Sequence, residues 1–200
     1  MTRCNFNLLT KKISLMKRRH FLQHSLLATS AIDLPAEALT LRPTKGISLK
    51  DGESRNSEKI VLAGTPLDFK VLSEDTGGDM AVFVSSNNRR GSGPPLHVHQ
   101  NMDEFFCVLE GEFLFQVGNE KTRLKAGDTM FVARTVPHGF DCVSSQPGKL
   151  LVTVQPAGDM ESFFRQLGKL LPEKGAPDLK AMGKLYQAHD SAIVGPPIAE

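Results

Sequence analysis

Ten short runs with strand character between Lys59 and Gln155 restrict the possible fold of this chain more than any other feature. They are Lys59–Ala63, Phe69–Ser73, Met80–Ser86, Leu96–His99, Glu104–Glu110, Glu112–Gly118, Lys121–Lys125, Thr129–Ala133, Gly139–Val143 and Lys149–Gln155. Gly, Asn, Asp or Pro breaks the series at intervals of about 8–12 residues, the spacing of a sandwich or jelly roll. A period of two puts alternate side chains on one face of a sheet, so each run can bury one side and wet the other. Glu110-Gly111-Glu112 and Gly118-Asn119-Glu120 are placed as hairpin turns. No internal repeat is present, and 200 residues with 40% hydrophobic content suit a single core.

After Pro156 the period changes from 2 to 3.6. Met160, Phe163, Phe164, Leu167, Leu170 and Leu171 fall on one helical face, with Asp159 as N-cap and Pro172 as stop. A second helix is predicted from Asp178 to about His189, with a stripe of Leu179, Met182, Leu185 and Tyr186. Both stripes are expected to pack on the barrel's outer surface or in a dimer interface, and His189 is assigned a structural role. The predicted organisation is a leader over 1–38, an extended lead-in over 39–58, a barrel over 59–156 and a helical extension over 157–200.

The barrel segment carries a spaced set of metal-ligand residue types. His97 and His99 stand at strand spacing, so both imidazoles project from one face. Glu104 follows five residues later, at the start of the next strand, and His138 opens a later one. Three neutral imidazoles and a carboxylate suit one borderline divalent cation: manganese, iron, nickel, copper, cobalt or zinc. A lone H-x-H on a strand is more often an ordinary pair of polar side chains. Gly91 and Gly111 fix the frame further, and the accidental coincidence of five such positions is about one in a thousand or less.

The stretch from Gly91 to Gly111 resembles the first motif of the cupin superfamily, G-x5-H-x-H-x4-E-x6-G, at every fixed position. The second cupin motif, G-x5-P-x-G-x2-H-x3-N, is matched in part: Gly127 and His138 are in register, while Ala133, Thr135 and Cys142 replace Pro, Gly and Asn. The resemblance covers about half the chain. It implies a single double-stranded β-helix, or jelly-roll barrel, followed by the two helices. It also implies a metal held by His97, His99, Glu104 and His138. Val194-Gly195-Pro196-Pro197 is similar to the tail of flavonol-dioxygenase-like cupins. The quercetinase-like resemblance implies oxygenolytic cleavage of a flavonol or other enolisable aromatic with dioxygen. Glu104 would then be the catalytic base that accepts the substrate's hydroxyl proton. Two alternatives stand beside it: a non-catalytic cupin that holds metal and a small ligand, and a non-oxidative isomerase or decarboxylase. The last needs cationic residues in the pocket, for which Arg89, Arg90 and Arg134 are the neighbouring candidates.

Twelve Phe stand against one Tyr and no Trp. Phe83, Phe105, Phe106, Phe113, Phe115, Phe131 and Phe140 lie in the barrel, where they serve as core or as an apolar lining for an aromatic substrate. Met16 to Gln23, read as M-K-R-R-H-F-L-Q, resembles a twin-arginine export signal and is followed by an apolar stretch and Ala36-Glu37-Ala38. Met16 is then a candidate start, and export to the periplasm or beyond is the expectation, with a cytoplasmic location as its alternative. Six of the 24 Lys and Arg and two of the 22 Asp and Glu lie in residues 1–38, which leaves 18 basic and 20 acidic side chains. The basicity belongs to the leader, so no nucleic-acid partner is expected, and no apolar run is long enough for a membrane span. Cys107 and Cys142 are predicted on opposite faces and unpaired; Cys142 shares the side of His138 as small filler or a fifth ligand.

Overall fold

The computed structural model describes residues 42–171 and 177–199. The predicted leader, including Met16 and residues 36–38, lies outside them, and so does Pro172. The described chain runs β1 (Ile60–Leu62), β2 (Thr65–Val71), α1 (Ser73–Thr76), β3 (Ala81–Asn88), β4 (Pro95–His99), β5 (Asp103–Glu110) and β6 (Glu112–Val117). It continues through β7 (Glu120–Lys125), β8 (Thr129–Val132), β9 (His138–Cys142), β10 (Gly148–Gln155), α2 (Met160–Leu170), α3 (Leu179–Ala188) and β11 (Ser191–Pro197). A 3-10 turn at Arg55–Ser57 interrupts the segment predicted as an extended lead-in.

The strands form two antiparallel sheets, one ordered β1-β2-β3-β10-β5-β8 and the other β11-β4-β9-β6-β7. The all-β jelly-roll prediction holds. Alternation explains the inner face of the first sheet: Leu150, Val152 and Val154 of β10 are buried while Lys149, Leu151 and Thr153 are only partly covered. Register places Val152 between Phe83 of β3 and Phe106 of β5, and Val154 between Ala81 and Glu104. Each large apolar side chain buried in this way contributes roughly 1.5–3 kcal/mol. The second sheet answers with Phe113 and Phe115 of β6, aligned with Cys142 and Phe140 of β9.

The structure corrects several expectations. Phe105 and Phe131 face outward, paired across β5 and β8, and Phe131 is 62% exposed. Their odd offset from inward-facing Phe106 and Val132 demands this. The helices do not lie on the barrel's outside. Met160, Phe163 and Leu167 of α2 and Met182, Leu185 and Tyr186 of α3 join the buried core, and Phe164 meets Phe69 and Phe83 at 6.1 and 4.9 Å. The run predicted as Phe69–Ser73 is the end of β2 plus the start of α1, which begins where Asp75 accepts a bond from the Leu72 backbone N–H at 2.9 Å. A final strand, β11, was not expected at all.

Helix α3 starts where predicted and is capped by Asp178, whose Oδ1 accepts from the N–H groups of Lys180 and Ala181 at 2.9 and 3.0 Å. Asp159 precedes α2 without a side-chain capping bond. Cys107 and Cys142 are both free thiols.

Candidate metal centre

Both sheets contribute to the cluster. β4 carries His97 and His99 on its inner face, and β9 begins with His138 directly opposite His97 in the ladder. Glu104 approaches from the inner face of β5, in the opposite sheet. One potential ligand atom from each of the four side chains lies within 4.8 Å of the others, and all four residues are buried. The imidazole rings of His97 and His138 stand 4.4 Å apart, and those of His97 and His99 5.0 Å apart at right angles.

Three local devices aim the rings. His97 Nδ1 lies 2.8 Å from the Pro95 carbonyl, and His138 Nδ1 lies 2.9 Å from the Val136 carbonyl. A carbonyl only accepts, so each Nδ1 carries a proton and each ring turns its Nε2 inward. For His99 the partner is Ser191 Oγ at 2.7 Å. The serine hydroxyl donates to the His189 carbonyl at 3.0 Å, so its oxygen accepts from His99 Nδ1–H. All three histidines therefore offer Nε2 as a potential ligand atom, each with the outer hydrogen bond that metal-binding imidazoles use.

The backbone leading into the ligands is equally constrained. Asp141 accepts from the N–H of Gly91 at 2.8 Å and of Gly93 at 3.2 Å, tying the loop before β4 to β9. A Cβ on Gly93 would stand 1.8 Å from the Phe140 carbonyl oxygen, so only glycine fits there. Thr135, which stands where the cupin motif has glycine, has φ 68° and donates its N–H to the His99 carbonyl at 2.7 Å. Arg134 is bound to Asp103, with Nε and a terminal nitrogen donating at 3.0 and 2.7 Å, which fixes the same turn beside β5.

The donor set fits a divalent cation. His99 Nε2 is buried and has no hydrogen-bond partner among the described residues. His138 Nε2 and Glu104 Oε2 approach to 2.7 Å. With Nδ1 already protonated, either a proton on Nε2 or a metal cation must lie between them. Two ligands bound to one such ion stand at most about 4.2 Å apart, so closing on it requires little movement. Burial alone would push the Glu104 carboxyl up, but the surrounding imidazoles of His99, His138 and His97 outweigh it and hold the group at about 2. Burial, helped by the neighbouring imidazoles, drives His97 down to about 3, and burial also lowers His99. His138 moves the other way: burial opposes its charge, but the Glu104 hydrogen bond prevails.

Sequence spacing found the four cluster residues and missed two that surround them. Ser191 is 92 residues from its partner His99. Tyr186, assigned only to an apolar stripe, lies edge-on to His97 with ring centroids 5.7 Å apart. Cys142 is not part of the ligand cluster among the described residues; it packs beside Ser144 on the face that His138 shares. Phe106 stands 6.3 Å from the His138 ring. Of the three arginines considered for a polar pocket, Arg134 is held by Asp103, Arg90 donates to the Val143 carbonyl at 2.8 Å, and Arg89 is exposed.

Residues 89–154 match the family model described as Cupin domain. An uncharacterized protein from Methanocaldococcus jannaschii is 35% identical over 66 residues, which are 33% of this chain and 53% of that protein. The chain thus spans about half the length of that curated relative. Among solved structures, KdgF from Halomonas sp. is similar with a TM-score of 0.49 and 17% identity, over 58% of this chain and 99% of that one. An RmlC-like cupin from Shewanella frigidimarina gives a TM-score of 0.46 and 20% identity, over 59% of this chain and 96% of that one. The stretch that carries all four cluster residues, 89–154, is thus the part of the chain that is similar to the cupin domain.

Proposed function

We propose that this protein is a metal-dependent dioxygenase that cleaves a flavonol-like or other enolisable aromatic substrate with dioxygen. The observation that carries the reading is the convergence of three inward Nε2 atoms and the Glu104 carboxylate at one buried point. His97, His99, Glu104 and His138 would hold one divalent transition metal. When bound, the cation would supply a Lewis acid for substrate oxygens and open positions for dioxygen. Glu104 is the base: its carboxylate, ionised by its imidazole neighbours, accepts the proton of the substrate's hydroxyl. Phe106 and the other inner-face apolar side chains exclude water and favour a flat apolar substrate.

A second reading, metal and ligand binding without turnover, is supported by the burial of all four cluster residues. The non-oxidative alternative is less well supported, because the arginines needed to grip anionic groups are engaged or exposed elsewhere. The test is to load purified protein with each candidate metal and follow oxygen uptake with flavonols and simple catechols. Turnover with one metal, abolished in Glu104→Gln, is expected. Stoichiometric metal binding with no oxygen uptake for any metal would favour the second reading.

A further inference from the structure

We infer that Tyr186 is a ligand-contacting residue of this centre, its phenol O–H placed to donate a hydrogen bond to an oxygen of a small molecule held beside His97. The inference rests on reading the four-residue cluster as a metal site and deepens it by naming the class of group that the site recognises. Tyr186 lies on α3, outside the part of the chain that matches the cupin domain. Its ring is wedged between Phe163 of α2, at 5.0 Å, and the imidazole of His97, at 5.7 Å, edge-on to both.

The residue is 3% exposed; its hydroxyl makes no hydrogen bond among the described residues, yet its oxygen is not fully enclosed. A nearly buried hydroxyl that no protein group satisfies needs water or a ligand oxygen as its partner, whereas phenylalanine would fill nearly the same volume with no such need. The sequence holds twelve phenylalanines and one tyrosine. The single tyrosine therefore stands against His97 of the cluster, with Phe163 on its other side. A lone neutral donor suits one enol, phenol or carbonyl oxygen. It does not suit a dicarboxylate or a phosphate, which calls for arginine. The ligand class that fits is a small oxygenated aromatic, such as a catechol, with its ring against the phenylalanines and an oxygen toward Tyr186.

Tyr186→Phe tests this, with cobalt(II) as the metal and 4-nitrocatechol as the probe, since the absorption of that compound shifts when it binds a metal. The variant is expected to keep wild-type cobalt affinity within about twofold and to bind 4-nitrocatechol roughly five- to tenfold more weakly, the effect of one hydrogen bond. Equal affinity for 4-nitrocatechol in both proteins would overturn the inference. A parallel loss of cobalt affinity would overturn it too, by showing that Tyr186 only supports His97. Failure of cobalt-loaded wild type to take up 4-nitrocatechol would remove the ligand class while leaving the metal site standing. Failure of wild type to bind cobalt would sink the metal reading itself.

Discussion

Thr135 holds a conformation that its side chain opposes. A β-branched residue in the left-handed region costs about 1–2 kcal/mol, yet the turn keeps it, because its N–H bonds the His99 carbonyl and the next residue's carbonyl orients His138. Thr135→Gly is expected to raise stability by about 1 kcal/mol, a Tm gain of roughly 2–4 °C, with metal affinity retained. A calorimetric scan showing a lower Tm would contradict this account. Ser191 works in the opposite direction: it stabilises one ligand rather than straining the chain. Ser191→Ala leaves His99 Nδ1–H without its buried acceptor and frees the ring to turn. Metal affinity should fall by about 10–100-fold, measured by competition with a chelator, while the far-ultraviolet circular dichroism stays unchanged. The four cluster residues were legible because a strand fixes i and i+2 on one face and the motif fixes the rest. Ser191 and Tyr186 were not, because nothing local marks a side chain that reaches a site from a strand or helix about ninety residues downstream.

At the scale of elements, period-two alternation located nine strands and only the end of β2, and period 3.6 located two helices, the second capped by Asp178. Strand β11 escaped because Pro196 and Pro197 read as the end of regular structure, and such residues are tolerated only at a sheet edge. That edge position is what matters: β11 pairs Ser191, Ala192 and Ile193 with His99, Val98 and His97, so the strand holding two of the cluster histidines is covered on both sides. Periodicity also left open what the helices cover, since an apolar stripe names a buried face and not its partner. The other side of β4 depends on Gly93. Adding a methyl group there forces the loop away from the Phe140 carbonyl, a backbone atom that cannot swing aside. Gly93→Ala should cost stability at the upper end of roughly 1–3 kcal/mol, seen as a lower denaturant midpoint. It should also weaken metal binding, because β4 and β9 would separate at the site. Wild-type stability in that variant would show that the loop relaxes freely and does not help position His97.

For the whole molecule, the buried cluster ties folding to pH. His97 is held at about 3 in the folded chain against an ordinary 6.5, and His99 is lowered as well. A depressed folded value means that the unfolded chain takes up the proton more readily. The stability these two rings confer is complete above about 6.5 and is lost as pH falls toward their folded values. Glu104, held at about 2 against an ordinary 4.5, adds a second loss at lower pH, between about 4.5 and 2. His138 alone is raised, so its contribution is present below 6.5 and fades as pH rises through its folded value. With three groups against one, the metal-free protein should melt at progressively lower temperature as pH drops below about 6.5. A bound cation must displace the His138 proton, so loading near neutral pH should release protons and raise Tm, and this gain should shrink on acidification. Melting curves between pH 4 and 8, with and without cobalt or zinc, together with calorimetric titration in two buffers of different ionisation enthalpy, measure both effects. A Tm independent of pH across that range, or metal binding without proton release, would mean that the four side chains do not share one charge-coupled site in solution.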